Sequence, residues 1–490
     1  MSQIRKALAL TFLSTNGATA VQFAVTLVLA RLLSPEEIGI FSITAVAVSI
    51  AQLFRDFGVA SYLQREADLT RQKVATAFGV LLFSSWVIAL LVFLVSGPLA
   101  RFYGEAGVQD VMEVLALGFV FIPFGAVTHN LLTRDYRAKE QAYVRVAGTS
   151  AYAITSIGLA MMGHGYMSMA WANLVNIIVT ALAYWPFRPA TAAVWPSLKG
   201  WRSVVNFGAA ATLGNSANAI NNALPDIVLG KISGPHDVGL LSRGTAITNL
   251  LNQVIGPTVS YAVLPLLSRV HHSGQALSGH LAKASSYITG LMWPALVGTA
   301  LFAEPLIRFL YGPQWVAAAE PVQWLALMLA LMNPFTFHGT AFIALGRPML
   351  AVWPTLAMLL ARGVAIFWVY DGTLVSFALA LCLAAVGVWP IQLWMQSAII
   401  GLRAQPFVRA LVPSAIVTLL CSVSALAVQA LTQGHADGVI LMSAFVLVGL
   451  TWLLSVWCCR HPLRQELEMI FAKWPWLARR LKIDQPSASS

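Results

Sequence analysis

Charge is scarce in this chain. Only 10% of its 490 residues are Asp, Glu, Lys or Arg, where a soluble domain carries roughly 25%. A water-facing globular surface cannot be built from that supply. Cysteine is equally thin. Cys382, Cys421, Cys458 and Cys459 all fall in apolar stretches, with no CxxC and no Cys/His spacing, which excludes a disulfide framework and a zinc site. No GxxxxGK[ST] loop is present, so ATP is not expected to drive the protein. The absence of DxD, HExxH and GxSxG argues against a glycosyltransferase head, a zinc protease and a serine hydrolase. No enzyme activity, no metal and no cofactor are expected.

What the chain has instead is apolar length. It is 58% hydrophobic, with a mean hydropathy of +0.74. A hydrocarbon core about 30 Å thick needs about 20 apolar residues per helix. Fourteen intervals meet that need: 8–32, 38–62, 75–97, 110–133, 142–163, 166–187, 204–229, 238–265, 284–304, 318–345, 349–370, 373–397, 410–431 and 438–459. No gap between them could hold a folded soluble domain. Arg5-Lys6 followed by ALALTFL and Ala18-Thr19-Ala20 has the look of a secretory signal. Cleavage there would leave Val21–Leu33, too short to span, so an uncleaved first helix is expected.

Lysine and arginine placement sets the orientation. With the N-terminus inside, the inner segments collect Arg5, Lys6, Arg65, Arg71, Lys73, Arg134, Arg137, Lys139, Arg145, Arg188, Lys199, Arg202, Arg269, Lys283, Arg347, Arg403, Arg409 and six tail residues, 23 of the 30. The outer ends keep Arg31, Arg101, Lys231 and Arg308. Both termini are therefore expected in the cytoplasm. The net charge of +11 then belongs to the inner leaflet, and no nucleic-acid partner is expected. Trp201 beside Lys199 and Arg202 predicts a short interfacial helix over Ser197–Val205. Trp474 and Trp476 among Lys473, Arg479, Arg480 and Lys482 predict a second membrane-surface anchor.

The chain repeats itself. LVLARLLSPEEIGIFS at 27–42 matches IVLGKISGPHDVGLLS at 227–242, position for position. Pro98-Leu99-Ala100-Arg101-Phe102 parallels Pro305-Leu306-Ile307-Arg308-Phe309, and Pro123-Phe124 parallels Pro334-Phe335. Six intervals separate equivalent points. Six is even, so both copies enter the membrane in the same direction, as parallel repeats. The expected fold is an all-α integral membrane protein of about fourteen transmembrane helices: two parallel six-helix repeats plus two extra C-terminal helices. The expected divisions are 1–203, 204–400, 401–460 and a basic tail, 461–490.

Polar residues inside spans are costly, so their placement is informative. Thr15, Thr19, Gln22 and Thr26 recur at i, i+4, i+7 and i+11, one helical stripe. Asn215, Asn222 and Asp226 repeat it in the second copy, with Asn218 close by. Packed interhelical hydrogen bonds would explain such stripes, but their match across copies favours the wall of a cavity between the halves. The basic-residue count leaves three inside spans, Arg55, Arg243 and Arg362, and Asp56 adjoins the first. Arg55 and Asp56 are adjacent and point about 100° apart on a helix, so each is expected to find a partner elsewhere. A guanidinium binds phosphate oxygens bidentately. Arg55, the deepest, is the first candidate for such a role and Arg243 the second, with snorkelling or structural ion pairs as the alternative. His129 and His338 read as packed hydrogen-bonding residues.

The ARLLSPEEIGIFSI turn, the RDFGVASYLQRE segment and DIVLGKISGPHDVGLLSRGTAITNL…VLPLLSRV resemble the polysaccharide-transporter branch of the MOP flippase superfamily, the bacterial O-antigen and exopolysaccharide repeat-unit flippases. The resemblance spans the whole chain. It implies a MATE-like fold and movement of an undecaprenyl-diphosphate-linked oligosaccharide from the inner to the outer leaflet of the cytoplasmic membrane. It implies a cavity lined by spans 1, 2, 7 and 8, and gives the arginines a target in the diphosphate. Partners would be the lipid-linked oligosaccharide, the lipid bilayer, and the polysaccharide polymerase and chain-length machinery. Two other classes share the hydropathy. A cation-coupled multidrug exporter of the MATE branch would want deep acidic residues, and only Asp56 and Asp226 qualify. A membrane enzyme of glycan polymerisation or ligation would want a large outer loop, which this chain lacks.

Overall fold

The computed structural model describes residues 2–56, 58–66, 68–192 and 195–472, with side chains for these except at 2–13, 206–217, 254–262, 348 and 469–472. The anchor expected at Lys473, Trp474, Trp476, Arg479, Arg480 and Lys482 lies outside the described residues.

Among the described residues every regular element is helical. That follows from the solvent: in hydrocarbon a backbone must bond to itself, and the helix does so within one segment. In chain order the helices are α1 (Ser2–Leu32), α2 (Pro35–Asp56), α3 (Val59–Arg65), α4 (Arg71–Tyr103), α5 (Ala106–Arg134), α6 (Ala138–Met161), α7 (Met167–Tyr184), α8 (Trp201–Ile232) and α9 (Pro235–His272). There follow α10 (Leu277–Leu301), α11 (Ala303–Leu310), α12 (Ala319–Met332), α13 (His338–Ala344), α14 (Val352–Val369), α15 (Leu374–Met395), α16 (Ala404–Leu431), α17 (Asp437–Cys458) and α18 (Leu463–Ala472). The fourteen apolar intervals fall mainly on helix, but 38–62 is broken at Gly58 between α2 and α3, 284–304 at the bend between α10 and α11, and 318–345 at the turn between α12 and α13. Nine described helices are long and apolar enough by themselves to cross a membrane, or ten if α10 and α11, bent by 78°, form one span. The least apolar of the long helices are α1, α6, α8 and α9. Large apolar side chains point outward elsewhere: Phe367 is 81% exposed, Trp368 78% and Phe445 80%, as suits a lipid-facing surface.

Two compact units divide the chain. The first comprises Met1–Arg243 and Leu310–Trp315. In it α1 packs on α6, α6 on α7, α5 on α4 and α7, and α2 on α4, α5 and α8. Ser34 and Glu37 start α2 with a reciprocal cap: the Ser34 amide donates to Glu37 Oε2 at 2.8 Å and the Glu37 amide to Ser34 Oγ at 3.2 Å. Pro35 takes the first helical position, where its missing N–H costs nothing. The second copy keeps the proline, Pro235, but replaces the capping serine by Gly234, at φ 85. The two copies meet at these turns. A Cβ on Gly39 would overlap the Pro235 carbonyl oxygen, and one on Gly239 would overlap the Pro35 carbonyl oxygen. Ser42 Oγ donates to Ser242 Oγ at 3.1 Å. Each copy thus presents its glycine to the other's proline, backbone against backbone. The short segment 310–315 closes the end of α1, where Trp315 Nε1 donates to the Ala30 carbonyl at 2.7 Å and Gln314 Nε2 to Ala30 and Leu33 at 2.8 and 3.2 Å.

The interfacial helix expected over Ser197–Val205 is not formed as such. Gly200, at φ 82, breaks the segment, and α8 starts only at Trp201. Residues before it strap onto α4 instead: the Ser197 amide donates to the Ala75 carbonyl at 3.0 Å, and Thr76 Oγ1 to the Lys199 carbonyl at 2.7 Å.

The second unit comprises Gly244–Phe309 and Val316–Ser490. In it α10 packs on α12 and α16, α15 on α12 and α14, and α16 on α17. His461, in the turn after α17, is 1% exposed and joins three elements. The Leu463 amide donates to its Nδ1 at 3.1 Å. The ring proton therefore sits on Nε2, which donates to Ser414 Oγ of α16 at 3.0 Å. Ser414 in turn donates to the Ser286 carbonyl of α10 at 3.2 Å. A Cβ on Gly290 would overlap the His461 ring.

Candidate functional site

Arg55 and Asp56 close α2, and they pair with each other rather than with separate partners. Arg55 Nη2 lies 2.6 Å and Nε 3.1 Å from Asp56 Oδ1. The expectation of 100° separation fails because it assumes a continuing helix. Here α2 ends at Asp56, Gly58 turns the chain at φ 67, and the long Arg55 stem reaches the freed carboxylate. The Arg55 side chain is 12% exposed and that of Asp56 48%.

Arg243 sits in the third turn of α9 in a different state. Its Nε is buried and makes no hydrogen bond. Among the described residues it has no acidic partner within ion-pair distance. The phenols of Tyr152 on α6 and Tyr311 are its electrostatic neighbours, and Tyr311 Oη donates to the Arg243 carbonyl at 3.4 Å. Asp226, half-buried on α8, makes no hydrogen bond or ion pair among the described residues. Tyr103, at the end of α4, lies near it. The structure thus keeps Arg55, Asp56, Asp226 and Arg243 in one unit without pairing the last two. Arg362 lies half-buried on α14, in the second unit.

Along α1, Thr15 and Gln22 are exposed while Thr19 and Thr26 are half-buried. Asn218 and Asn222 on α8 are exposed. The Asn215 side chain lies outside the described residues. Thr19 Oγ1 donates to the Thr15 carbonyl at 2.9 Å, and Thr15 Oγ1 accepts from Arg145 Nη1 of α6 at 2.6 Å.

Arg145 is a residue that the basic-residue count groups with the inner segments, although it falls within the interval 142–163. Because α6 begins at Ala138, Arg145 lies two turns inside the helix. Arg145, Thr149, Tyr152 and Ser156 recur at i, i+4, i+7 and i+11, the same stripe that marked α1, so the periodicity test applied to α6 finds them. The lower part of that stripe lines a cavity of about 410 Å³ between α5, α6 and α7, with His129, Gln141, Asn176 and Tyr184. His129 Nδ1 lies 2.8 Å from Tyr184 Oη, as expected for a packed histidine. Gln141 Nε2 donates to Thr133 Oγ1 at 2.7 Å. His338, in the second unit, is likewise packed, with Nδ1 3.2 Å from Gln392 Oε1.

A multi-pass bundle of membrane-length helices, with polar stripes and an uncompensated guanidinium on its least apolar members, is the architecture of a membrane transporter. The fold agrees. It matches the lipid II flippase MurJ in an inward closed conformation with a TM-score of 0.75, at 13% identity over 91% of this chain and 98% of that one. It also matches an inward-facing multidrug resistance MATE family transporter of the MOP superfamily, with a TM-score of 0.64 and 17% identity over 77% and 93% of the two chains. The chain belongs to the polysaccharide biosynthesis protein family, whose sequence model matches residues 28–320. Its relatives include the succinoglycan biosynthesis transport protein ExoT of Rhizobium meliloti, 26% identical over 76% of this chain and 75% of that protein. Another is the lipopolysaccharide biosynthesis protein WzxC of Escherichia coli, 21% identical over 65% of each chain.

Proposed function

We propose that this protein is a flippase. It moves undecaprenyl-diphosphate-linked oligosaccharide repeat units of an O-antigen, capsule or exopolysaccharide from the inner to the outer leaflet of the bacterial cytoplasmic membrane, by alternating access. In this reading both termini are cytoplasmic, and fourteen helices cross the bilayer as lobes 1–203 and 204–400 with two further helices in 401–460. The lipid-linked oligosaccharide is the substrate, and the polymerase and chain-length machinery are the downstream partners.

The observation that carries the reading is Arg243. An unpaired charge in an apolar slab costs several kcal/mol, so a guanidinium kept there without a carboxylate awaits an anion. A diphosphate supplies one, with the oxygen geometry that a guanidinium fork matches. Arg55 already holds Asp56, which moves Arg243 ahead of it as the diphosphate clamp. The same ion pair weakens the multidrug-exporter reading, since among the described residues only Asp226 of the two deep carboxylates is then left without a cation. Asn218, Asn222 and the α1 stripe offer hydroxyls and amides suited to sugar. An inside-negative potential favours outward anion movement by about 2.3 kcal/mol per charge per 100 mV, so no nucleotide is required.

The test is complementation of a strain lacking the gene. Arg243→Ala is expected to abolish surface polysaccharide at normal protein level, and Arg243→Lys to restore part of it, because a point charge keeps the Coulomb attraction and loses the fork. Normal export by Arg243→Ala would end this assignment.

A further inference from the structure

The flippase reading uses one cation in the first unit. A second, Arg145, has no role in it. Its single described hydrogen bond goes to a neutral hydroxyl, Thr15 Oγ1, and among the described residues no carboxylate lies within ion-pair distance. The 410 Å³ cavity that it lines has no acidic lining residue and is furnished with neutral hydrogen-bonding groups: Gln141, Thr149, Asn176, His129 and the Tyr184 hydroxyl. A cation in such a setting attracts an anion, and the surrounding amides and hydroxyls can hydrogen-bond its remaining oxygens.

The position of the cavity gives it a place in a path. Arg145 is the eighth residue of α6, about 10 Å from the helix start at 1.5 Å per residue. His129 lies five residues before the end of α5, and Tyr184 ends α7. The cavity therefore lies in the half of α5, α6 and α7 toward Arg134, Arg137, Lys139 and Arg188, the end assigned to the cytoplasm. Tyr152 lies seven residues beyond Arg145, on the same face of α6 and about 10 Å further along. Tyr152 is also the neighbour of Arg243. One face of α6 thus joins two cations set at different depths.

We propose that the α5–α6–α7 cavity is an anion subsite in which Arg145 takes the diphosphate of the lipid-linked substrate at inner-leaflet depth before it passes along α6 to Arg243. The proposal rests on the flippase reading for the identity of the substrate. Two stations shorten the stretch of the core that the diphosphate crosses without a cation beside it.

The experiment uses the full-length protein in nanodiscs of zwitterionic lipid, titrated calorimetrically with inorganic pyrophosphate. Wild type is expected to bind. Arg145→Gln, which keeps polarity and loses charge, is expected to weaken binding about tenfold or more, the value of one or two charge-assisted bonds. Arg145→Lys is expected to weaken it less. Arg243→Ala is expected to leave binding that Arg145→Gln removes in the double variant. Unaltered affinity in a folded Arg145→Gln protein, or no binding by wild type at millimolar pyrophosphate, overturns the subsite. Loss of pyrophosphate binding when phosphatidylglycerol is added to the discs assigns the site to a bilayer headgroup and overturns its role as a substrate station. The flippase reading fails separately: a strain deleted for the gene that still exports polysaccharide ends that reading, whatever pyrophosphate does.

Discussion

His461 shows what a single side chain contributes here. It lies outside the membrane-spanning segments and is held neutral, with Nδ1 committed as an acceptor from the Leu463 amide and Nε2–H committed to Ser414. Burial pushes its pKa from 6.5 down to about 4. The folded state therefore binds fewer protons than the unfolded one between these values. Its contribution is complete above pH 6.5 and is lost as pH falls toward 4, up to about 3 kcal/mol. The melting temperature of the purified protein is expected to drop between pH 7 and pH 4.5, and His461→Gln to flatten that slope while lowering stability at pH 7. Equal slopes for both proteins would show that another group carries the dependence. Nothing in the sequence marked His461, since Ser414 lies 47 residues from it and the Ser286 carbonyl that Ser414 bonds lies further still. The Arg55–Asp56 pair was hidden for a different reason. Its two residues are adjacent, but whether they can meet depends on where α2 stops, and a helix end is poorly specified by pattern alone.

At the level of elements, the 27–42 and 227–242 segments revealed the most. Both were legible as a helix end, a turn and a helix start, and both have that form. Their matched glycines and serines turn out to be the points of contact between copies. Ser42→Cys with Ser242→Cys, in a background without the four native cysteines, is expected to cross-link under mild oxidant, because the two Oγ atoms are 3.1 Å apart. If the turns must separate during transport, the cross-linked protein should stop exporting polysaccharide and a reductant should restore export. Full export by fully cross-linked protein would mean that this contact stays closed throughout. The α1 stripe rests on the same kind of pattern, helical periodicity. The same test applied to α6 gives Arg145, Thr149, Tyr152 and Ser156, but Arg145, near the start of its interval, is counted with the inner segments for orientation alone. The attachment of residues 310–315 to the first unit had no local signal at all, because it depends on Gln314 and Trp315 meeting the end carbonyls of α1 from almost three hundred residues away.

For the whole molecule, the asymmetry of its basic residues is a statement about direction. Reporter fusions after Asp371 and after His435 are expected outside the cytoplasm and a fusion at Ser490 inside. A C-terminus on the outer side would refute the fourteen-span arrangement. The fold class was legible because an apolar chain has few options: with no water to satisfy the backbone, helices are nearly forced. The placement of function was less legible, because a cavity is made of residues whose shared exposure arises only when helices pack.

The crossed contact at the turns also says something about descent. Gly39 rests on Pro235 and Gly239 on Pro35, so exchanging the copies leaves the contact unchanged. Such an arrangement is what a two-fold homodimer makes by symmetry, with the same patch used on both partners. A half-length ancestor that dimerised through this turn would yield the present geometry when its gene doubled and fused. Once fused, the two sides are free to diverge, and Ser34 against Gly234 shows that they have. Substitutions at 39 should then track those at 235, and substitutions at 239 those at 35. Independent variation of these pairs across relatives would remove the dimer from this history.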